Sequence, residues 1–139
     1  MKLRPLHALF AAEASGIDLR KPLAPEAVRG IERAMDQYAV LVFRGQPLTQ
    51  EEQLAFAKRF GPLDLGLKKA TRAAANLTGY DEIIDISNVD AQGRVYERSH
   101  RKTVSNLANQ LWHSDSSFQK PAARYSILHA VVVPEEAGN

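Results

Sequence analysis

Two hydrophobic periods alternate along this chain. Between Pro25 and Tyr38, apolar residues Val28, Ile31, Met35 and Tyr38 recur at steps of three and four, the spacing of one helix face. Pro25 suits the first helical turn and Glu26 complements the positive end of the dipole, so the spacing predicts a helix over 25–38. Thr49-Gln50-Glu51-Glu52 has the form of a capping box, which predicts a second helix running to about Phe60 and stopped by Gly61-Pro62. Ala39-Val40-Leu41-Val42-Phe43 is a continuous apolar run, expected as a central strand buried on both faces. Leu6 to Ala11 reads as an earlier strand leading to a turn at Ser15-Gly16. Ile83-Ile84-Asp85-Ile86-Ser87 reads as another strand, with a turn at Asp90-Ala91-Gln92-Gly93. Tyr125 to Val133, rich in Val and Ile and closed by Pro134, is the strongest strand signal of all. Gly61 to Gly79 shows little regular pattern. A connection so long is commonly disordered or functional, often a lid over a site.

Two early helices followed by strands make an α+β chain with helices packed outside a β core. At 139 residues and 45% hydrophobic content the chain holds one domain at most, with enough apolar residues for a real core. No internal repeat or low-complexity segment interrupts it. No window reaches the apolar length of a membrane span. Leu6-His7-Ala8-Leu9-Phe10-Ala11-Ala12 is too short for a secretory signal and carries a histidine, so a cytoplasmic location is expected. The absence of cysteine excludes disulfides, thiolate metal sites and a cysteine nucleophile together. The net charge is only +2. Its basic clusters, Lys68-Lys69 and Arg98-Ser99-His100-Arg101-Lys102, have no interleaved aromatics to form a nucleic-acid platform. A small anionic molecule is the expected partner, with neither nucleic acid nor membrane.

The richest chemistry lies in Leu111-Trp112-His113-Ser114-Asp115-Ser116-Ser117-Phe118, a stretch that reads as a strand running into a loop. Side chains at i and i+2 of a strand share a face, so His113 and Asp115 can converge on one cation while Trp112 and Ser114 point away. One imidazole and one carboxylate are two-thirds of the two-His-one-carboxylate triad that holds Fe(II) on one face and leaves the others open. Taken alone, the same spacing also describes a surface turn with an Asx-type hydrogen bond. Trp112 and Phe118 are expected in the core.

The surroundings favour the metal reading. Phe43-Arg44-Gly45-Gln46-Pro47-Leu48, Phe60-Gly61-Pro62-Leu63, the Trp-His-Ser-Asp-Ser-Ser-Phe run, Lys120-Pro121-Ala122-Ala123-Arg124-Tyr125 and Glu135-Glu136-Ala137-Gly138-Asn139 follow one another in an order that resembles the taurine/2,4-dichlorophenoxyacetate dioxygenase family. The resemblance runs from about Leu6 to Asn139 and is closer to the phenoxyacetate branch. It implies the N-terminal part of a double-stranded β-helix, or jelly roll, with flanking helices. It also implies Fe(II) held by His113 and Asp115, with 2-oxoglutarate and O2 as cosubstrates. In the family a second histidine and an arginine for 2-oxoglutarate come far downstream, after a threonine that follows a glycine-rich turn. Gly138-Asn139 matches that turn, so residues 1–139 are expected to be the N-terminal portion of a single dioxygenase domain, truncated before the distal His and Arg. His7, His100 and His129 read as packed or solvated residues, not as a third ligand.

For the substrate, the resemblance points to Asn109, four residues before His113, although a backbone-capping amide fits that position equally. Lys68 and Lys69 on the expected lid, and more weakly Arg94, could meet an anionic group. The implied reaction is hydroxylation of a phenoxyacetate such as 2,4-dichlorophenoxyacetate to a phenol and glyoxylate, with succinate and CO2 released. The same chemistry on taurine or another alkylsulfonate, and a non-catalytic jelly-roll binding module, are the competing readings. The full-length protein could form a homo-oligomer.

Overall fold

The longest element forms where the three-and-four periodicity lies. Helix α1 spans Pro25–Tyr38, with Pro25 in its first turn and Glu26 at its positive end. Its buried face centres on Ile31 and on Ala34, a residue the periodicity did not pick out. Val28, Met35 and Tyr38 flank that face, partly covered. The computed structural model describes residues 1–65, 79–90, 92–101, 103–104, 111–115, 117 and 119–133. They fall into two compact units. One holds Met1–Leu63 and the described part of the segment starting at Ile127; the other holds the described residues from Asp64 to Ser126.

In the first unit, strands β1 (Lys2–Pro5), β2 (Ala12–Ser15) and β3 (Leu41–Val42) make a sheet in that order. β1 and β2 pair antiparallel, with Leu3 opposite Ala14, while β2 and β3 pair parallel, with Ala12 opposite Leu41. A parallel pair needs a crossover, and α1 supplies it. The strand expected at Leu6–Ala11 is instead the connection between β1 and β2, exposed through Phe10. The ladder falls to either side because β1 and β2 find each other there, and pairing outweighs local hydrophobicity. The expected Ala39–Phe43 strand shrinks to Leu41–Val42 and is only partly covered.

The end of α1 explains that shortening. Ala39 takes a left-handed conformation at φ 59°, and its N–H donates to the Met35 carbonyl. The freed Tyr38 carbonyl then accepts from Ala11 N–H at 2.8 Å, and the Val40 carbonyl from Ala12 N–H at 3.0 Å. Alanine holds this conformation against a Cβ clash that glycine lacks. Ala39→Gly is therefore expected to raise stability by roughly 0.5–1 kcal/mol. Thermal melts would check it; a lower midpoint would show that Ala39 is not strained.

Helix α2 spans Gln50–Ala57 and continues as a 3-10 turn over Lys58–Phe60. The capping box is formed as the sequence predicts: Glu52 N–H donates to Thr49 Oγ1 at 3.2 Å, and Thr49 N–H to Glu52 Oε2 at 2.8 Å. Phe56 from α2 packs with Leu19 and Ile31, and Met35, Leu41, Phe43, Phe60 and Ile127 close around them. Phe56 meets Phe43 and Phe60 edge-on, at ring separations of 6.2 and 5.2 Å. Gln46 ties the loop after β3 to the loop after β2, accepting from Leu19 N–H and donating to the Ile17 carbonyl.

Beside that tie, the Arg20 guanidinium grips the Asp18 carboxylate at 2.9 and 3.0 Å. Together with the Arg20 backbone N–H and nearby Lys21, it lowers the Asp18 pKa from the ordinary 3.8 to about 2. A depressed carboxylate stabilises the fold above its unfolded pKa, and that contribution fades as pH falls through the folded value. The expected window is pH 4 down to about 2. Following Asp18 by NMR should give a midpoint near 2 that Arg20→Ala returns towards 3.8. An unchanged midpoint in the variant would contradict the assignment.

In the second unit the turn at Asp90 forms as expected. Asp90 and Arg94 bond main chain to main chain at 2.9 Å, and Val89 bridges Val95 antiparallel. Ile83–Ser87 and Tyr125–Val133 do not pair into ladders among the described residues. Both nevertheless show period-two exposure, with Asp85 and Ser87, and likewise Tyr125, Ile127 and His129, more covered than their neighbours. The side chains alternate as in strands, without a ladder among the described residues. None of the described helices is long and apolar enough to cross a membrane.

Candidate metal centre

His113 and Asp115 converge, although not on a strand. The described residues Leu111–Asp115 run from a bend into a turn without ladder bonds; Ser116 and Phe118 lie outside the described residues. Asp115 sits in the turn, where aspartate is favoured, and this brings its carboxylate back towards the imidazole. His113 Nε2 and Asp115 Oδ1 stand 3.2 Å apart, with the side chains 48% and 60% exposed. Trp112 is fully exposed, not in the core as expected, because the turn sends it to solvent.

A contact between two side chains this exposed contributes only about 0–1 kcal/mol, too little to hold two rotamers. A second hydrogen bond steadies each side chain. His113 Nδ1 lies 2.7 Å from the Leu111 carbonyl oxygen. That oxygen can only accept, so Nδ1 donates to it, and in the neutral ring Nε2 is the nitrogen left to offer a lone pair. On the other side, Ser126 Oγ donates to Asp115 Oδ2 at 3.0 Å, which leaves Oδ1 facing the imidazole. A backbone carbonyl behind a ligand histidine and a hydroxyl behind a ligand carboxylate are the usual supports of a metal site.

The pair fits a small divalent ion. Two donors 3.2 Å apart subtend roughly 100° at an ion about 2.1 Å from each, near the right angle between adjacent octahedral positions. Nitrogen with carboxylate oxygen, and no thiolate, also suits Fe(II) or Mn(II). Among the described residues no third histidine, aspartate or glutamate joins them. His7 accepts from Leu9 N–H and lies against Phe10, while His100 stacks flat on Tyr96 at 3.9 Å.

The remaining candidates are less well placed for comparison. Arg94 Nε is held at 2.8 Å by Asp90 Oδ2 within the turn, and its side chain is exposed. Asn109, Lys68, Lys69 and most of the expected lid lie outside the described residues. Sequence reasoning passed over Ser126. The signal was present: it is the one aliphatic hydroxyl in the apolar Tyr125–Val133 run, and it falls on the face opposite Tyr125 and Ile127.

Comparison with known proteins adds a second line of evidence. The model of the family described as "Taurine catabolism dioxygenase TauD, TfdA family" matches residues 2–139. The chain is 57% identical over 135 residues to the alpha-ketoglutarate-dependent 2,4-dichlorophenoxyacetate dioxygenase of Cupriavidus pinatubonensis, covering 97% of this chain and 47% of that protein. The enzyme of the same name from Burkholderia sp. (strain RASC) is 52% identical, covering 96% and 45%. The chain thus spans about half the length of the curated relatives it matches. Among solved structures, AAD-2 in complex with Mn(II) and N-oxalylglycine superimposes with a TM-score of 0.70 at 41% identity, over 86% of this chain and 39% of that one.

Proposed function

Because the chain belongs to the taurine catabolism dioxygenase TauD, TfdA family, we propose that its full-length protein is an Fe(II)- and 2-oxoglutarate-dependent dioxygenase acting on a phenoxyacetate such as 2,4-dichlorophenoxyacetate. The observation that carries this reading is the steadied pair, His113 Nε2 beside Asp115 Oδ1 at 3.2 Å. When bound, Fe(II) with 2-oxoglutarate and O2 supplies oxidation of an unactivated C–H bond, the cosubstrate leaving as succinate and CO2. His113 offers a neutral nitrogen donor fixed by the Leu111 carbonyl, and Asp115 supplies one negative oxygen. The third donor comes from the part of the full-length protein that corresponds to the relatives' remaining length. The same part would complete a jelly roll, to which Ile83–Ser87 and Tyr125–Val133 contribute strands; their alternating exposure supports this. The Mn(II) and N-oxalylglycine bound by AAD-2 resemble Fe(II) and 2-oxoglutarate chemically, which supports the cofactor pair.

Hydroxylation of the carbon beside the ether oxygen gives a hemiacetal that collapses to a phenol and glyoxylate. Asn109, Lys68 and Lys69, with Arg94 as a weaker candidate, are the residues we propose for the substrate's anionic end. The substrate class rests on the relatives' names and on the resemblance of the Trp-His-Ser-Asp-Ser-Ser-Phe run to the phenoxyacetate branch. Anaerobic loading with Fe(II) and 2-oxoglutarate, then oxygen, with 2,4-dichlorophenoxyacetate or taurine in parallel, tests it. Stoichiometric phenol and glyoxylate from the phenoxyacetate, with weaker coupling to taurine, is the expected result. Equal or better coupling with taurine would move the protein to the sulfonate branch, and no 2-oxoglutarate turnover with either would leave a binding module.

A further inference from the structure

A carboxylate has two equivalent oxygens, so an Asp ligand to a metal can bind through one or through both. Bidentate binding would take a coordination position that an open-sited centre must leave free. At Asp115 the two oxygens are not equivalent: Oδ1 faces His113 Nε2, while Oδ2 accepts from Ser126 Oγ at 3.0 Å. The contact joins residues eleven apart in sequence, so it is not a by-product of the local turn. The pairing also neutralises no charge, since serine is neutral. It orients the carboxylate without cancelling the negative charge a cation needs.

We propose that Ser126 is a positioning residue that holds Asp115 in one-oxygen coordination, with Oδ2 occupied and Oδ1 left for the ion. The inference rests on the metal reading of His113 and Asp115 and extends it to a residue outside the ligand pair. Removing the hydroxyl leaves an exposed carboxylate free to turn about its last torsion, and loss of such a support typically weakens metal affinity tenfold to a hundredfold.

Mn(II) binding to the full-length protein, followed by the electron paramagnetic resonance of free Mn(II), gives a readout independent of turnover. Ser126→Ala is expected to weaken binding about tenfold. Ser126→Thr should keep most of the affinity and Ser126→Val should lose it; these two share one shape, so any packing cost is common to both. In steady state, the Fe(II) concentration for half-maximal activity should rise more than kcat falls. His113→Ala serves as the control for the site itself. Tight wild-type binding that His113→Ala abolishes but Ser126→Ala leaves unchanged would overturn the role of Ser126 alone. So would equal affinity of the Thr and Val variants. Wild-type binding indifferent to His113→Ala would overturn the metal reading, and the positioning role with it.

Discussion

Replacing His113 with alanine in the full-length protein is expected to abolish 2-oxoglutarate-dependent oxidation, by on the order of a thousandfold or more in kcat/KM. That is roughly 4 kcal/mol of transition-state stabilisation. The loss would come through the metal: the imidazole is the nitrogen donor of the pair, and among the described residues no third histidine, aspartate or glutamate joins it and Asp115. The side chain is half exposed, so the fold should survive, and circular dichroism and the melting midpoint should match wild type. Asp115→Ala should behave alike. His113→Asn should not rescue, because its amide presents a weaker donor at a different reach. A properly folded His113→Ala enzyme within tenfold of wild type would show that the imidazole is not a ligand.

The second large effect concerns residues 1–139 expressed alone. Leu128, Val131, Val132 and Val133 are 73–84% exposed, and Leu111 and Trp112 are exposed as well. An uncovered, uncharged run of β-branched residues is a template for pairing with other chains. The buried apolar set is small, with Leu19, Ile31, Leu54 and Phe56 its largest members among the described residues. These residues alone are therefore expected to self-associate, with no detectable 2-oxoglutarate decarboxylation and weak Fe(II) binding. A lysine at position 132 (Val132→Lys) should shift the species towards monomer in light scattering, since a charge on an exposed edge blocks pairing. A wild-type 1–139 chain that stays monomeric, unfolds cooperatively and turns over 2-oxoglutarate would contradict both statements.

How far the chain could be read depended on the range of the interactions involved. α1 and α2 were legible because their signals are local: the 3.6-residue period, Pro25 at the start, and the Thr49–Glu52 box. Strands need partners distant in sequence, which no local pattern names. The apolar Leu6–Phe10 stretch thus became an exposed connection, while the more polar Lys2–Pro5 found Ala12–Ser15. Ile83–Ser87 and Tyr125–Val133 kept strand-like alternation without a ladder among the described residues. The His113–Asp115 convergence was legible, yet for a reason other than the one expected: a turn at Asp115 brings the pair together, not a pleat. Trp112 is exposed, although its place beside the ligand pair on an expected buried strand had suggested the core. Ser126 was hidden for the opposite reason. One small hydroxyl in an apolar run carries no motif, and its meaning appears only when Asp115, eleven residues away, comes within 3.0 Å.

That His113 and Asp115 share one ion can be tested by crystallography of the full-length protein with Mn(II) in place of Fe(II), under anaerobic conditions with 2-oxoglutarate. Anomalous scattering locates the metal without assumptions about its ligands. One peak about 2.1 Å from both His113 Nε2 and Asp115 Oδ1, with His113 Nδ1 still on the Leu111 carbonyl, is the result expected. A peak bound elsewhere, or a His113 turned to present Nδ1 with Asp115 facing away, would contradict it.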